Sequence, residues 1–329
     1  MTSTRPCLVV DVANLFVRCW CAFPQMSSNG EPMGGFIGTL KTIKRIIAET
    51  GAKSVYMAWE GGGSARRRAI FAEYKLGRRP EKLNRFYEDD IPSTDDNERH
   101  QKLLLLKACK FLPFCQLYAS DAEGDDLIAY LSENSLKHET QRIIVSSDKD
   151  FYQLLDDRTS VYNLHKKSIV TKQDVLEQFR ISTRNFAVAK AICGDHGDNV
   201  PGIEKFGFKT LIKHVPMLGN DIDVSLDDVI SFCRTHVNDR EMSASARRWY
   251  QRIIDFEADA RRNWRLVYLN GNMISPNQAS KIDNAVKTFV PTIDKMSFNK
   301  LLLHEGLNEF NVTEFIYGLH GIDGLKYRT

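Results

Sequence analysis

Four short apolar runs in this chain, at residues 7–10, 54–59, 114–118 and 142–145, each lead straight into acid. The first runs into Asp11, the second into Glu60, the third into the acid-rich segment 121–126 and the fourth into Asp148. Uninterrupted apolar runs of this length suit strands buried on both faces, as in a parallel sheet. Helical patterns lie in the intervals at 36–47 and 101–111. This alternation predicts an α/β domain on a parallel sheet, and in such sheets ligands bind beyond the carboxyl ends of the strands. One acid after a strand is the ordinary start of a polar loop. Four acids converging on one sheet edge point to a site.

Three further segments add carboxylates. Glu123-Gly124-Asp125-Asp126 precedes a helical stretch, and Asp148-Lys149-Asp150 follows the fourth run. In Asp195-His196-Gly197-Asp198 the acids are three apart, so one helical turn would bring them to one face. Acids at a helix start can simply complement the helix dipole. A cluster of nine is different, because like charges repel and destabilise the fold unless cations occupy the site. An all-oxygen set suits Mg2+ or Mn2+. Partly hydrated Mg2+ on carboxylates is a sign of phosphoryl transfer, whereas an aspartic protease or a glycosidase needs only two acids. The seven cysteines form no Cys-x-x-Cys pair, which argues against zinc and for reduced thiols in a cytosol. His196 is given no role as a general base.

The 329 residues allow two structural units, placed at 1–180 (α/β) and 181–329 (mostly helical). Net charge is only +3, which alone does not mark a nucleic-acid binder, although an acidic site would cancel a basic surface in that sum. No apolar stretch is long enough to span a membrane. Residues 77–100 are dense in charge and poor in apolar side chains, as in a mobile insertion or a solvated helix. Arg247, Arg248, Arg252, Arg261 and Arg262 fall in a charged helix read mainly as a packing helix with a wet face.

In order and spacing these segments resemble the 5′-nuclease (flap endonuclease) family, which includes the 5′-nuclease domain of bacterial DNA polymerase I and stand-alone phage 5′-3′ exonucleases. The resemblance runs through most of residues 7–215. Its carriers are Val9-Val10-Asp11 with Asn14, Phe16 and Arg18; Trp59-Glu60 with Arg67, Tyr74-Lys75 and Arg78; Glu123-Gly-Asp125-Asp126; Ser147-Asp148-Lys149-Asp150; and Gly194-Asp195-His-Gly-Asp198-Asn-Val-Pro-Gly. Gly202 to Thr210 is similar to the family's helix–three-turn–helix.

The resemblance implies a PIN-like parallel-sheet nuclease domain with a helical arch at about 77–100 and a DNA-binding helix–three-turn–helix at about 194–215. It implies two Mg2+ ions, replaceable by Mn2+. Asp11, Glu60, Glu123, Asp125 and Asp126 would serve one ion, and Asp148, Asp150, Asp195 and Asp198 the other. Lys75, Arg78 and Arg67 are the implied catalytic cations. Gly202, Gly207, Lys209, Thr210 and Arg18 are the implied DNA contacts, with K+ at the turn. The implied substrates are branched or 5′-ended DNA and RNA–DNA primer junctions, cut by a monomer in the host cytosol during phage DNA replication. Two departures stand out. Glu60 occupies a position where the family carries Asp, and the far half of the presumed arch is acidic. A PIN-like ribonuclease and a non-catalytic DNA-structure binder stay open as alternatives.

Overall fold

A computed structural model describes residues 5–61, 63–77, 94–239 and 241–328. The first strand, β1 (Cys7–Asp11), has every residue buried. It is followed by α1 (Val12–Ala22), α2 (Gly34–Thr50), β2 (Ser54–Trp59), α3 (Ala65–Ile70), α4 (Thr94–Cys109), β3 (Cys115–Tyr118), α5 (Gly124–Tyr130) and β4 (Arg142–Val145). Then come β5 (Thr159–Asn163), β6 (Ser168–Val170), α6 (Lys172–Phe179), α7 (Phe186–Cys193), α8 (Phe208–His214), α9 (Leu226–Val237), α10 (Ala244–Asp255), α11 (Glu257–Val267) and α12 (Pro276–Thr288). The last elements are β7 (Thr292–Ile293), α13 (Lys295–His304), α14 (Val312–Tyr317) and β8 (Lys326–Tyr327).

The main sheet has the order β3-β2-β1-β4-β5-β6, with β6 alone antiparallel to its neighbour. The four expected strands are its four central and left-hand members. β5 and β6 were not expected, because Thr159-Ser-Val-Tyr-Asn mixes polar and apolar residues in too short a run to show a period. The chain builds outward from β1 through β2 to β3, then returns to place β4 on the other side of β1. That reversal opens a crevice past the carboxyl ends of β1 and β4, where Asp11 and Asp148 lie.

Pleating sends alternate side chains to opposite faces. Cys7 and Val9 join one core with Tyr56, Leu117 and Ile144, covered by α5 and α7. Leu8 and Val10 join the other with Met57, Ile143 and Val145, covered by α1 and α2. The first core continues without a break into Val229, Ile253 and Ile282 of α9, α10 and α12. The second is closed by Phe298 and Phe315, so the tail of the chain returns to the face on which the chain began.

The helix expected at 36–47 runs longer and stops at Gly51, whose left-handed φ of 65° ends it. The helix expected at 101–111 starts earlier, at Thr94, so residues 94–100 of the segment read as insertion or arch are the first turns of α4. Residues 78–93 of that segment, Arg78 among them, lie outside the described residues. Among the described residues, no helix is long and apolar enough to cross a membrane.

Candidate active site

Asp11 ends β1 and caps α1, its Oδ1 accepting from the Asn14 backbone N–H at 3.1 Å. Its Oδ2 accepts from Ser146 Oγ at 2.8 Å. Asn14 answers across the crevice, its Oδ1 accepting from the Ser147 N–H at 3.0 Å. The ends of β1 and β4 are therefore stitched together, and Asp148 is set one residue beyond. The Asp148 N–H donates to Ser146 Oγ at 3.0 Å, and its Oδ1 accepts from the Asp150 N–H at 2.8 Å. Neither Asn14 nor Ser146 carries charge to advertise it, and Ser146 was not singled out from sequence.

Glu60 follows β2, and its Oε2 accepts from the Gly124 N–H at the head of α5 at 3.3 Å. This brings Asp125 into the same cleft, a space of about 610 Å3 lined by Asp11, Asn14, Arg18, Glu60, Asp125 and Asp148, with Lys75 and His165 at its sides. Arg18, expected to meet DNA, lies against His165, with Nη1 2.6 Å from the ring Nδ1. Burial and the nearby Arg18 keep His165 below its ordinary pKa, so the neutral ring can accept that bond. His165 gave no signal in the sequence, where it stands alone between Leu164 and two lysines.

A second cluster adjoins the first. Asp150, Asp195 and Asp198 place one carboxylate oxygen each within 4.8 Å of one another. Lys190 of α7 reaches into it, donating to Asp195 Oδ2 at 2.5 Å and to Asp150. Sequence reading missed this lysine. A lone cation in the apolar stretch Phe-Ala-Val-Ala-Lys-Ala-Ile-Cys was the available sign, because a buried lysine needs an anion.

Lys75 joins the two halves, its Nζ 2.7 Å from Glu123 Oε2 and 3.9 Å from Asp198 Oδ2. Its backbone is left-handed (φ 55°), and its N–H donates to the Asp198 carbonyl at 3.0 Å. Asn199 adds a clasp, donating from Nδ2 to the Glu73 carbonyl at 3.1 Å. The turn that follows α3 is thus fastened to the entry of the α7–α8 connection.

Two expected site residues have partners inside the protein. Both oxygens of Asp126, expected among the metal ligands, are taken by Arg67 at 2.7 Å each, and the residue is only 1% exposed. Arg67, expected among the catalytic cations, is equally buried and spends its Nε on the Leu266 carbonyl at 2.8 Å. A guanidinium held on three sides by protein cannot reach a phosphate. Of the expected DNA contacts, Lys209 and Thr210 lie in the first turn of α8, after the open Gly207. Gly202 is needed for packing, since a Cβ there would strike the Cys193 carbonyl.

The electrostatics fit a cation site. Burial lifts Asp11 to about 6, opposed by its hydrogen bonds to Asn14 and Ser146 and assisted by Asp148. Burial, with Asp148 close by, pushes Asp125 well above the carboxylate range, and burial with Glu123 raises Glu60. Burial alone would raise Glu123 too, but Lys75 and Arg67 outweigh it and hold it low. Its buried Oε1 has no hydrogen-bond partner. Nine carboxylates outnumber the cations beside them among the described residues, Lys75, Lys190, Arg67 and Arg18, and all the donors are hard oxygens. Divalent cations are the natural complement of such a set.

The N-terminal half of the chain, residues 6–180, matches the family described as "5′-3′ exonuclease, N-terminal resolvase-like domain". The chain belongs to the 5′-3′ exonuclease family. A 5′-3′ exonuclease of Buchnera aphidicola from Schizaphis graminum is 31% identical over 213 residues, covering 64% of this chain and 70% of that protein. The thermostable DNA polymerase I of Thermus thermophilus is 27% identical over 245 residues, which are 72% of this chain but 28% of the polymerase. A structure of the bacteriophage T5 flap endonuclease in complex with DNA and metal ions has the same fold, with TM-score 0.62 and 20% identity, covering 92% of this chain and 100% of that one. This 5′-3′ exonuclease thus has an α/β, PIN-like nuclease fold.

Proposed function

We propose that this exonuclease removes 5′ ends and 5′ flaps from branched DNA by hydrolysing phosphodiester bonds with two Mg2+ ions, for which Mn2+ can substitute. The observation that carries the reading is the convergence of two carboxylate groups from separate parts of the chain, with Lys75 between them. Asp11, Glu60, Glu123 and Asp125 would hold one ion, and Asp148, Asp150, Asp195 and Asp198 the other. When bound, such ions supply an activated water and polarise the phosphoryl oxygens.

The chain's own residues do the rest. Asn14 and Ser146 orient the Asp11 carboxylate. Lys75 presents a positive charge to the scissile phosphate from the rim. Its proton is secure, because Asp125, Glu123 and Asp198 outweigh the burial that would remove it. Asp126 and Arg67 form a brace beneath the metal ligands. Residues 1–180 carry most of the cutting site, and residues 181–329 add Asp195 and Asp198 to it and hold the duplex. In the holding part Gly207, Lys209 and Thr210 offer a helix start and a cation to backbone phosphate, with Gly202 shaping a turn that would hold K+. Arg18 steers the strand at the cleft wall, and Arg78 belongs to the proposed arch.

The biological setting that fits is primer or flap removal in phage DNA replication, on RNA–DNA as well as DNA junctions, by a monomer in the host cytosol. The α7–α8 connection favours duplex DNA over the substrate of a PIN-like ribonuclease. The complete acid set speaks against a purely binding role. Cleavage of a 5′-flap duplex compared with a linear single-stranded RNA, each with and without Mg2+, tests the proposal. Equal or preferred cutting of the RNA would overturn it.

A further inference from the structure

Lys190 is the only charged residue of α7, and it is buried. Its ammonium donates to Asp195 at 2.5 Å and also to Asp150. Those two acids and Asp198 are the three whose oxygens gather within 4.8 Å. A monovalent cation of the protein itself therefore stands in the group of carboxylates best placed to take a divalent one. No lysine or arginine among the described residues hydrogen-bonds to Asp11, Glu60 or Asp125 in the neighbouring half of the site. The two halves are built differently: in the first, Lys75 and Arg67 meet Glu123 and leave Asp11, Glu60 and Asp125 without a cationic donor among the described residues, whereas in the second one buried lysine holds two of the three gathered carboxylates.

We propose that Lys190 is a built-in counter-ion of the second metal position. It holds Asp150 and Asp195 together beside Asp198 before metal arrives, and it has to give up at least one of the two for the second ion to bind. This rests on the two-ion reading above. Three carboxylates this close would push one another apart without a cation. The lysine keeps them gathered, and the same contact makes it a competitor of the incoming ion. The two positions should then fill unequally, the half with three acids free of any cationic hydrogen bond first and the lysine-guarded one only at higher metal concentration.

The test is a Mn2+ titration of the full chain without DNA, followed by calorimetry and by the electron paramagnetic resonance of free Mn2+. Wild type should bind one ion tightly and a second more weakly. Lys190→Met keeps the bulk and removes the charge, and should tighten the second ion about tenfold or more while leaving the first unchanged. A second ion bound equally or more weakly by the variant would overturn the inference, because the lysine would then be supporting the metal ligands instead of competing with the metal. Wild type binding fewer than two ions would instead overturn the two-ion reading. Wild type also supplies a test that needs no variant to fold. With lysines labelled at 13Cε, the Lys190 resonance should stay in place through the first equivalent of Mg2+ and move with the second. Movement with the first, or none at all, refutes the proposal.

Discussion

Arg67 and Asp126 meet through two parallel hydrogen bonds of 2.7 Å in a spot from which water is excluded. The pair ties α3 to the head of α5, and the third arm of Arg67 ties both to the Leu266 carbonyl in α11. Asp125 is the next residue along, yet it faces the cleft with no such partner. Neighbours in sequence thus have opposite duties, and their substitutions should have opposite effects on stability.

Arg67→Ala or Asp126→Ala should cost about 3–5 kcal/mol, the usual result of leaving one partner of a buried pair alone. Asp125→Asn should instead raise the melting temperature of the metal-free protein near pH 8 while abolishing cleavage. The Asp125 pKa is raised in the fold, so its charge opposes folding as pH rises through that value, and Asn carries no charge to oppose it. Urea denaturation in chelator, read against wild type, decides. Destabilisation by Asp125→Asn would place this carboxylate in a structural role.

Metal should stabilise as well as activate. A divalent ion that binds only the folded chain adds about 2.7 kcal/mol at a hundredfold excess over its dissociation constant. Mg2+ or Mn2+ should therefore raise the melting temperature, and EDTA should lower it and abolish cutting together. Cutting that persists in EDTA would remove the metal from the mechanism.

The pH dependence of the DNA-holding region should hinge on His214. Its ring is buried against Trp249 and edge-on to Tyr250, with centroids 6.2 and 5.7 Å away. Burial, helped by the adjacent Lys213, keeps its pKa below the ordinary value. The unfolded histidine takes its proton near pH 6.5, the folded one only in more acid solution. Stability is intact above about pH 6.5 and is lost as pH falls from there through the folded pKa. His214→Phe should therefore flatten the loss between pH 7.5 and 5.5, and an unchanged slope in urea midpoints would exclude His214 as its source.

Lys209→Ala should weaken duplex binding and reduce the slope of log affinity against log salt by roughly 0.9, the share of one phosphate contact. Gly207→Ala should fold normally, because its Cβ would meet nothing within 4 Å, whereas Gly202→Ala should destabilise the α7–α8 connection. A salt slope that survives Lys209→Ala would move this lysine off the DNA.

Glu60→Ala should slow single-turnover cleavage of a 5′ flap about tenfold or more, the scale of losing or loosening a metal ligand. Glu60→Asp should do less harm. The Glu60 carboxylate reaches back to the Gly124 N–H, so it also fixes the head of α5. Wild-type rates for Glu60→Ala at low Mg2+ would take the residue out of the site.

Much of this was legible in the sequence because strands of a parallel sheet are apolar throughout, so their ends are visible as the points where acid begins. The placement of Asp11, Glu60, Asp125 and Asp148 in one cleft follows from that alone. What stayed hidden depends on contacts between distant residues. That Asp126 serves Arg67 while Asp125 faces the cleft turns on a helical rotation, which the adjacent letters do not express. Ser146 looks like any loop serine until β4 lies beside β1. The return of α13 and α14 to the first core was equally invisible, since Phe298 and Phe315 have no local partner to declare which sheet face they cover.

The central place of β1 has a consequence for the timing of synthesis. The strand carrying Asp11 leaves the ribosome before the rest of the site, and the serine that orients its carboxylate lies 135 residues further along. At about 5–20 residues per second that gap lasts on the order of ten seconds, and the α7 lysine and its two aspartates come later still. Throughout that interval the emerging polypeptide holds scattered acids and no assembled centre. A ribosome can therefore translate this nuclease while the messenger it is reading, and any nearby nucleic acid, is safe from the unfinished product.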